Sequence, residues 1–129
     1  MNFKLAASIL AWLLLGLIAY STLSPLDMRP RMGAWVHVER FGAFGLLGLL
    51  FATAYPRRFL LVLAVVMATA IGLELLQMLS TDRHARLVDI AVKAIGGACG
   101  VVAGWFVTYS RHRFRHAMAW VNQNANYRR

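Results

Sequence analysis

Between positions 74 and 93 the chain gathers Glu74, Gln77, Asp82, Arg83, His84, Arg86, Asp89 and Lys93, inside a sequence that is otherwise mostly hydrocarbon. Carboxylates, an amide and cations in that mixture can exchange protons, pair with one another or grip an anionic ligand. An earlier stretch adds His37, Glu39 and Arg40. At helical spacing His37, Arg40, Phe41 and Phe44 fall on one face. An unpaired charge deep in a bilayer costs on the order of 2.5–3.5 kcal/mol by insertion scales. The elements that carry these residues therefore have to bring them together.

Those elements are read from the apolar runs. Of the 129 residues, 60% are hydrophobic and 15% charged, and the mean hydropathy is +0.58. That balance belongs to a membrane protein, and the length to one domain. Four runs are long enough to cross a bilayer as helices: Leu5 to Leu23, Val36 to Tyr55, Phe59 to Leu79 and Val88 to Tyr109. The expected fold is an all-α integral membrane protein, an antiparallel bundle of four transmembrane helices. Pro25, Pro30 and Gly33 break the chain after the first helix, and Pro56-Arg57-Arg58 makes a tight turn after the second. A signal peptide is the rival reading of the first run, with Lys4 as its basic start and Ala19-Tyr20-Ser21 as a cleavage site. The run is longer than a signal core and three further spans follow, so it is read as a retained helix.

Small residues recur along the spans: Gly42, Gly45 and Gly48 in the second, Ala64, Ala68 and Gly72 in the third, and Gly96, Gly100 and Gly104 in the fourth. Such stripes let helix backbones approach in membranes, and all three are read as packing. Residues 1–109 form the transmembrane domain. Residues 110–129 form a basic tail in which Phe114, Ala117, Met118 and Val121 share a helical face suited to an anionic membrane surface, with a frayed end from Asn122. His112 and His116 stand four apart as a metal pair would, but among arginines that repel a cation. The lone Cys99 excludes an internal disulfide.

Four spans place both termini on one side. That side holds Lys4, Arg57, Arg58, Arg111, Arg113, Arg115, Arg128 and Arg129, eight cations with no acid. The other holds six cations and all five acids, so nearly the whole net charge of +9 lies at one end. The positive-inside rule makes the basic side cytoplasmic, in a bacterial-type inner or plasma membrane. The charge then serves orientation and anchoring, and nucleic acid is not an expected partner.

Symmetry about the polar turn pairs two residues. Glu74 lies six positions before Ser80 and Lys93 six after Leu87, so an antiparallel hairpin sets both about 9 Å below the turn. They are expected to face each other across the third and fourth helices. Gln77 and Asp89 each stand one turn above, which makes a two-layer ladder, and Arg83 can bend back onto Asp89. His37 enters from the second helix near the same level. Polar groups buried in this way satisfy one another or hold a ligand.

These residues resemble the VanZ-like family of small integral membrane proteins. The likeness runs from the Ser24-Pro25 turn through His37-x-x-x-Phe41 and Glu74-x-x-Gln77 to Arg83-x-Ala85-x-x-x-Asp89 and the glycines Gly96 and Gly100, about 80 residues in order. Lys93 stands where the family commonly has asparagine, and Arg86 where a small polar residue is common. The resemblance implies a multi-helix envelope protein and a shared polar site at His37, Glu74, Gln77, Arg83 and Asp89. The family's named member is linked to low-level resistance to teicoplanin, a glycopeptide that binds cell-wall precursors.

Three functional classes compete. The first is a binding protein whose outward-facing pocket of His37, Arg40, Glu74, Gln77, Arg83, Asp89 and Lys93 takes an anionic lipid or a lipid-linked, cell-wall-precursor-like ligand, with Arg29, Arg31 and Arg86 as further phosphate contacts. The second is a membrane enzyme using His37 with Glu74 or Asp89 as acid and base, although no nucleophile elbow, HExxH or CxxC is present. A proton-coupled transporter with Glu74 as relay comes third, since the charges crowd one end. A metal on His37, Glu39, Glu74 and Asp89 fits by ligand type but not by spacing. No cofactor is expected. The expected partners are membrane lipids and further copies of the chain.

Overall fold

A computed structural model describes residues 2–23, 35–79 and 87–127. They form four α-helices: α1 (Phe3–Leu23), α2 (Trp35–Ala54), α3 (Phe59–Met78) and α4 (Leu87–Tyr127). Each helix is long and apolar enough to cross a membrane. The chain is an all-α, multi-pass membrane bundle. Hydrocarbon surrounds each helix rather than marking one stripe, as expected where lipid covers the outer face. Leu13, Leu60 and Phe106, for example, are 65%, 78% and 63% exposed.

Side-chain contacts fix the directions. Ser8 meets Tyr55 and Trp12 meets Phe51 across α1 and α2, so these run antiparallel. Glu74 meets Lys93 and Phe59 meets Trp105 across α3 and α4, again antiparallel. Consecutive helices therefore alternate, and α2 runs parallel to α4. The core is Ala11 and Ile18 from α1, Phe44, Leu47 and Phe51 from α2, Val62, Val66 and Leu73 from α3, and Val101 from α4.

The closest pairing is α2 with α4, and it is built on backbone. A methyl placed on Gly96 would sit 2.5 Å from the Phe41 carbonyl oxygen, and one on Gly104 2.7 Å from that of Leu49. One on Gly100 would collide with the Gly45 carbonyl. The fourth-helix glycines, four apart, thus meet Phe41, Gly45 and Leu49, also four apart. This is the close approach that small-xxx-small patterns permit. Gly48 joins it against Gly97 and Val101, whereas Gly42 faces open space.

The third-helix stripe behaves differently from its reading as packing. Ala64 and Ala68 are exposed, and a methyl on Gly72 would meet nothing. Among the described residues that stripe packs on no other helix, because α3 turns Val62, Val66, Ala70 and Leu73 inward instead. Successive steps of four, four and three from Val62 select the inner face and exclude Ala64.

The basic tail also departs from expectation. Tyr109 does not end a helix; α4 continues unbroken to Tyr127, 41 residues in all. At 1.5 Å per residue it is about 60 Å long, twice the hydrocarbon thickness of a bilayer. The segment from Asn122, expected to fray, is helical to Tyr127.

Candidate functional site

Three helices deliver their charged side chains to one end of the bundle, hereafter the acid end. Glu74 comes from the last turns of α3 and Asp89 and Lys93 from the first turns of α4, as expected for residues either side of a hairpin. All three are buried, at 4%, 2% and 2% exposure. Lys93 Nζ donates to Glu74 Oε2 at 2.6 Å, within the short range of a charge-assisted bond. The pairing expected from symmetry about the turn is therefore present.

Lys93 does more than face Glu74. Its ammonium also lies 3.1 Å from Asp89 Oδ2, one turn earlier on its own helix. The other oxygen of Asp89, Oδ1, is ion-paired with the Arg40 guanidinium of α2. The result is a chain of alternating charge, Arg40–Asp89–Lys93–Glu74, in which two cations balance two carboxylates. Removing charges from water is repaid only where such partners are close. Arg40 is the one member reaching the surface, with 28% of its side chain exposed. Helical side chains lean towards their own N-terminus, which lets Arg40 reach back up to Asp89.

Gln77 corrects the expected ladder. It does not join Asp89; its Nε2 donates 2.8 Å to the Thr22 carbonyl oxygen of α1. That bond ties the last turn of α1 to α3 and gives the Thr22 carbonyl a side-chain donor. Thr22 was absent from the sequence reading, since a backbone acceptor has no residue-type signal. Arg83 and its neighbours Asp82, His84 and Arg86 lie outside the described residues, as do Arg29 and Arg31. The described partners of Asp89 are Arg40 and Lys93.

His37 sits one turn before Arg40 on α2. Its Nδ1 is buried and has no hydrogen-bond partner. An imidazole nitrogen hidden from water without a partner carries a desolvation cost. Asp89 Oδ1 also lacks a hydrogen bond but faces the Arg40 guanidinium, so among the described residues of the cluster His37 Nδ1 is the buried atom with neither kind of partner. Neither Glu74 nor Asp89 bonds it; both carboxylates are committed to cations. Glu39 is exposed. Among the described residues no three His, Cys, Asp or Glu side chains converge as a metal site would require. The side chain of His116 is outside the described residues.

Towards the other end the core turns apolar. Past Lys93 the buried side chains are Phe44, Leu47, Phe51, Val62, Val66 and Val101, and Thr53 is the next buried polar group described. The chain matches no family model, no curated protein and no solved structure.

Proposed function

We propose that the chain is a VanZ-like membrane protein whose acid end binds the head group of an anionic lipid or of a lipid-linked, cell-wall-precursor-like molecule. The observation that carries this reading is the buried, unpartnered Nδ1 of His37 beside the partly exposed Arg40 of a charge-balanced chain. The chain fixes Arg40 by its pair with Asp89 and leaves the outer N–H edge of the guanidinium for a phosphate or pyrophosphate oxygen. His37 offers the second polar contact. The family-like residues His37, Glu74, Gln77 and Asp89, far apart in sequence, all lie at this one end, which supports the resemblance. In this reading the basic end faces the cytoplasm of a bacterial-type inner membrane, the acid end faces outward, and a role of the glycopeptide-resistance kind follows from sequestering a precursor.

The enzyme reading draws less support. An acid–base pair needs a carboxylate free beside the imidazole, and both candidates are engaged by Lys93 or Arg40. The transporter reading requires polar groups deeper in the bundle, where the core is apolar.

The test is native mass spectrometry of the purified chain in mild detergent, titrated with a polyprenyl-pyrophosphate-linked sugar. Wild type is expected to retain one ligand. His37→Phe and Arg40→Gln are expected to weaken it about tenfold each, on the scale of a lost charge-assisted hydrogen bond. Arg83→Ala tests the loop contact that the resemblance implies. Equal retention by wild type and all three variants defeats the reading.

A further inference from the structure

At the opposite end of the bundle, a cleft of about 1440 Å³ opens between the start of α1, the turn joining α2 to α3, and the part of α4 just beyond its apolar span. Four cations line it: Lys4, Arg57, Arg111 and Arg115. Arg111 and Arg115 stand one turn apart on α4, a like-charge spacing that is unfavourable unless an anion lies between. Glu39, Glu74 and Asp89, the acids among the described residues, lie on helix segments at the other end, and no carboxylate side chain lines the cleft. None of the four cations has an ion-pair partner among the described residues.

The walls have a second character. Phe3, Leu5, Trp105 and Phe114 line the same cleft. Leu5 leads on to the exposed Ile9 on α1, so the apolar wall continues from the charged mouth along the lipid-facing surface. Trp105 stacks on Tyr109 at 5.4 Å, at the level where aromatic side chains hold the interface of a bilayer. The Arg111 guanidinium lies over the Phe3 ring, 5.2 Å from its centre. Stacking fixes the plane of the guanidinium while its N–H edge stays free for a bidentate acceptor.

We propose that this cleft is a binding site for one anionic phospholipid, with the phosphate held between Lys4, Arg57, Arg111 and Arg115 and an acyl chain running down α1 past Leu5. A free phosphate uses the cations and leaves the apolar wall wet. A zwitterionic lipid brings its own positive group into a mouth that is already basic. The continued helix matters here: because α4 does not stop at Tyr109, Arg111 and Arg115 are held in fixed register opposite α1. This site is separate from the one at the acid end and does not depend on it.

The test uses the full chain in mild detergent, titrated with phosphatidylglycerol and, in parallel, phosphatidylcholine of the same acyl chains, read by native mass spectrometry. Wild type is expected to retain a single phosphatidylglycerol against a tenfold excess of phosphatidylcholine. Arg111→Gln and Arg115→Gln are each expected to weaken retention about fivefold, the scale of one basic side chain at an anionic surface. Arg113→Gln is the control, since Arg113 does not line the cleft; it should retain the lipid as wild type does. Thermal melting of each variant separates lost binding from lost folding, and His37→Phe should leave this lipid in place. Equal affinity for the two lipids overturns the proposal, as does an Arg113→Gln effect as large as that of Arg111→Gln, which would mean unspecific attraction. Displacement of the lipid by millimolar inorganic phosphate also overturns it, in favour of a soluble anion. A second copy of the chain appearing in the spectrum in place of lipid would assign the cleft to self-association instead.

Discussion

The two ends of the bundle treat charge in opposite ways. At the acid end, Arg40, Asp89, Lys93 and Glu74 alternate in sign and close on one another, three of them out of contact with solvent. At the basic end, Lys4, Arg57, Arg111 and Arg115 surround an open cleft with no carboxylate side chain among them. Burial explains the difference. A side chain on the inner face of three packed helices must bring its counter-charge with it. A side chain at the interface can take its counter-charge from solvent or from lipid. Cations at the first end are therefore tied into the fold by ion pairs, and those lining the cleft have none among the described residues.

Four sets of substitutions sharpen that contrast, and the largest effect lies between the ends. Gly100→Val forces a branched side chain into the Gly45 carbonyl, at a point where the nearest α2 atoms are all backbone. The expected outcome is no monodisperse protein on size exclusion in detergent, because overpacking here cannot be relieved by a rotamer. Next comes Lys93→Met, which leaves Glu74 and Asp89 buried with Arg40 alone. Loss of about 3–5 kcal/mol is expected, read as a fall in thermal midpoint in detergent. Adding Glu74→Gln should recover part of it, because the amide removes the unpaired charge. A double variant no better than Lys93→Met would show that the pair is not the source of the loss.

Gln77→Leu is milder. It removes the bond to the Thr22 carbonyl, and interhelical hydrogen bonds in membranes are worth about 0.6 kcal/mol and at most about 1.7. The expected readout is a small drop in midpoint with an unchanged oligomeric state. The smallest effect belongs to the basic end. Arg111→Gln with Arg115→Gln should move stability in lipid-free detergent by no more than about 0.5 kcal/mol, since an exposed like-charge pair is lost. A drop of the Lys93→Met size would erase the distinction between the two ends.

Much of this was legible because helices count. The four spans follow from length and hydropathy, and Glu74 was placed opposite Lys93 by equal distances from one turn. Pairs across the bundle were harder. Arg83, expected to bend back onto Asp89, lies outside the described residues, and the structure brings Arg40 to Asp89 from 49 residues away. That contact depends on the relative rotation of α2 and α4, which no single helix encodes. A signal did exist in the register of Phe41, Gly45 and Leu49 against Gly96, Gly100 and Gly104, and reading the two stripes together would have set Arg40 beneath Asp89. The Ala64, Ala68 and Gly72 stripe shows the converse error, since small residues permit close packing without requiring it. The Thr22 acceptor and the continuation of α4 past Tyr109 had no residue-type marker strong enough to read.

The unbroken α4 also sets a phase relation. Lys93 and Arg111 are 18 residues apart, which is five full turns, so they leave the helix on the same side about 27 Å from each other. A rigid rod turns as one piece. Any roll of α4 that lifted Lys93 from its two carboxylates would swing Arg111 off the Phe3 ring through the same angle, and the reverse holds as well. The helix acts as an axle between the two ends, with the Gly96, Gly100 and Gly104 contacts as its bearing against α2.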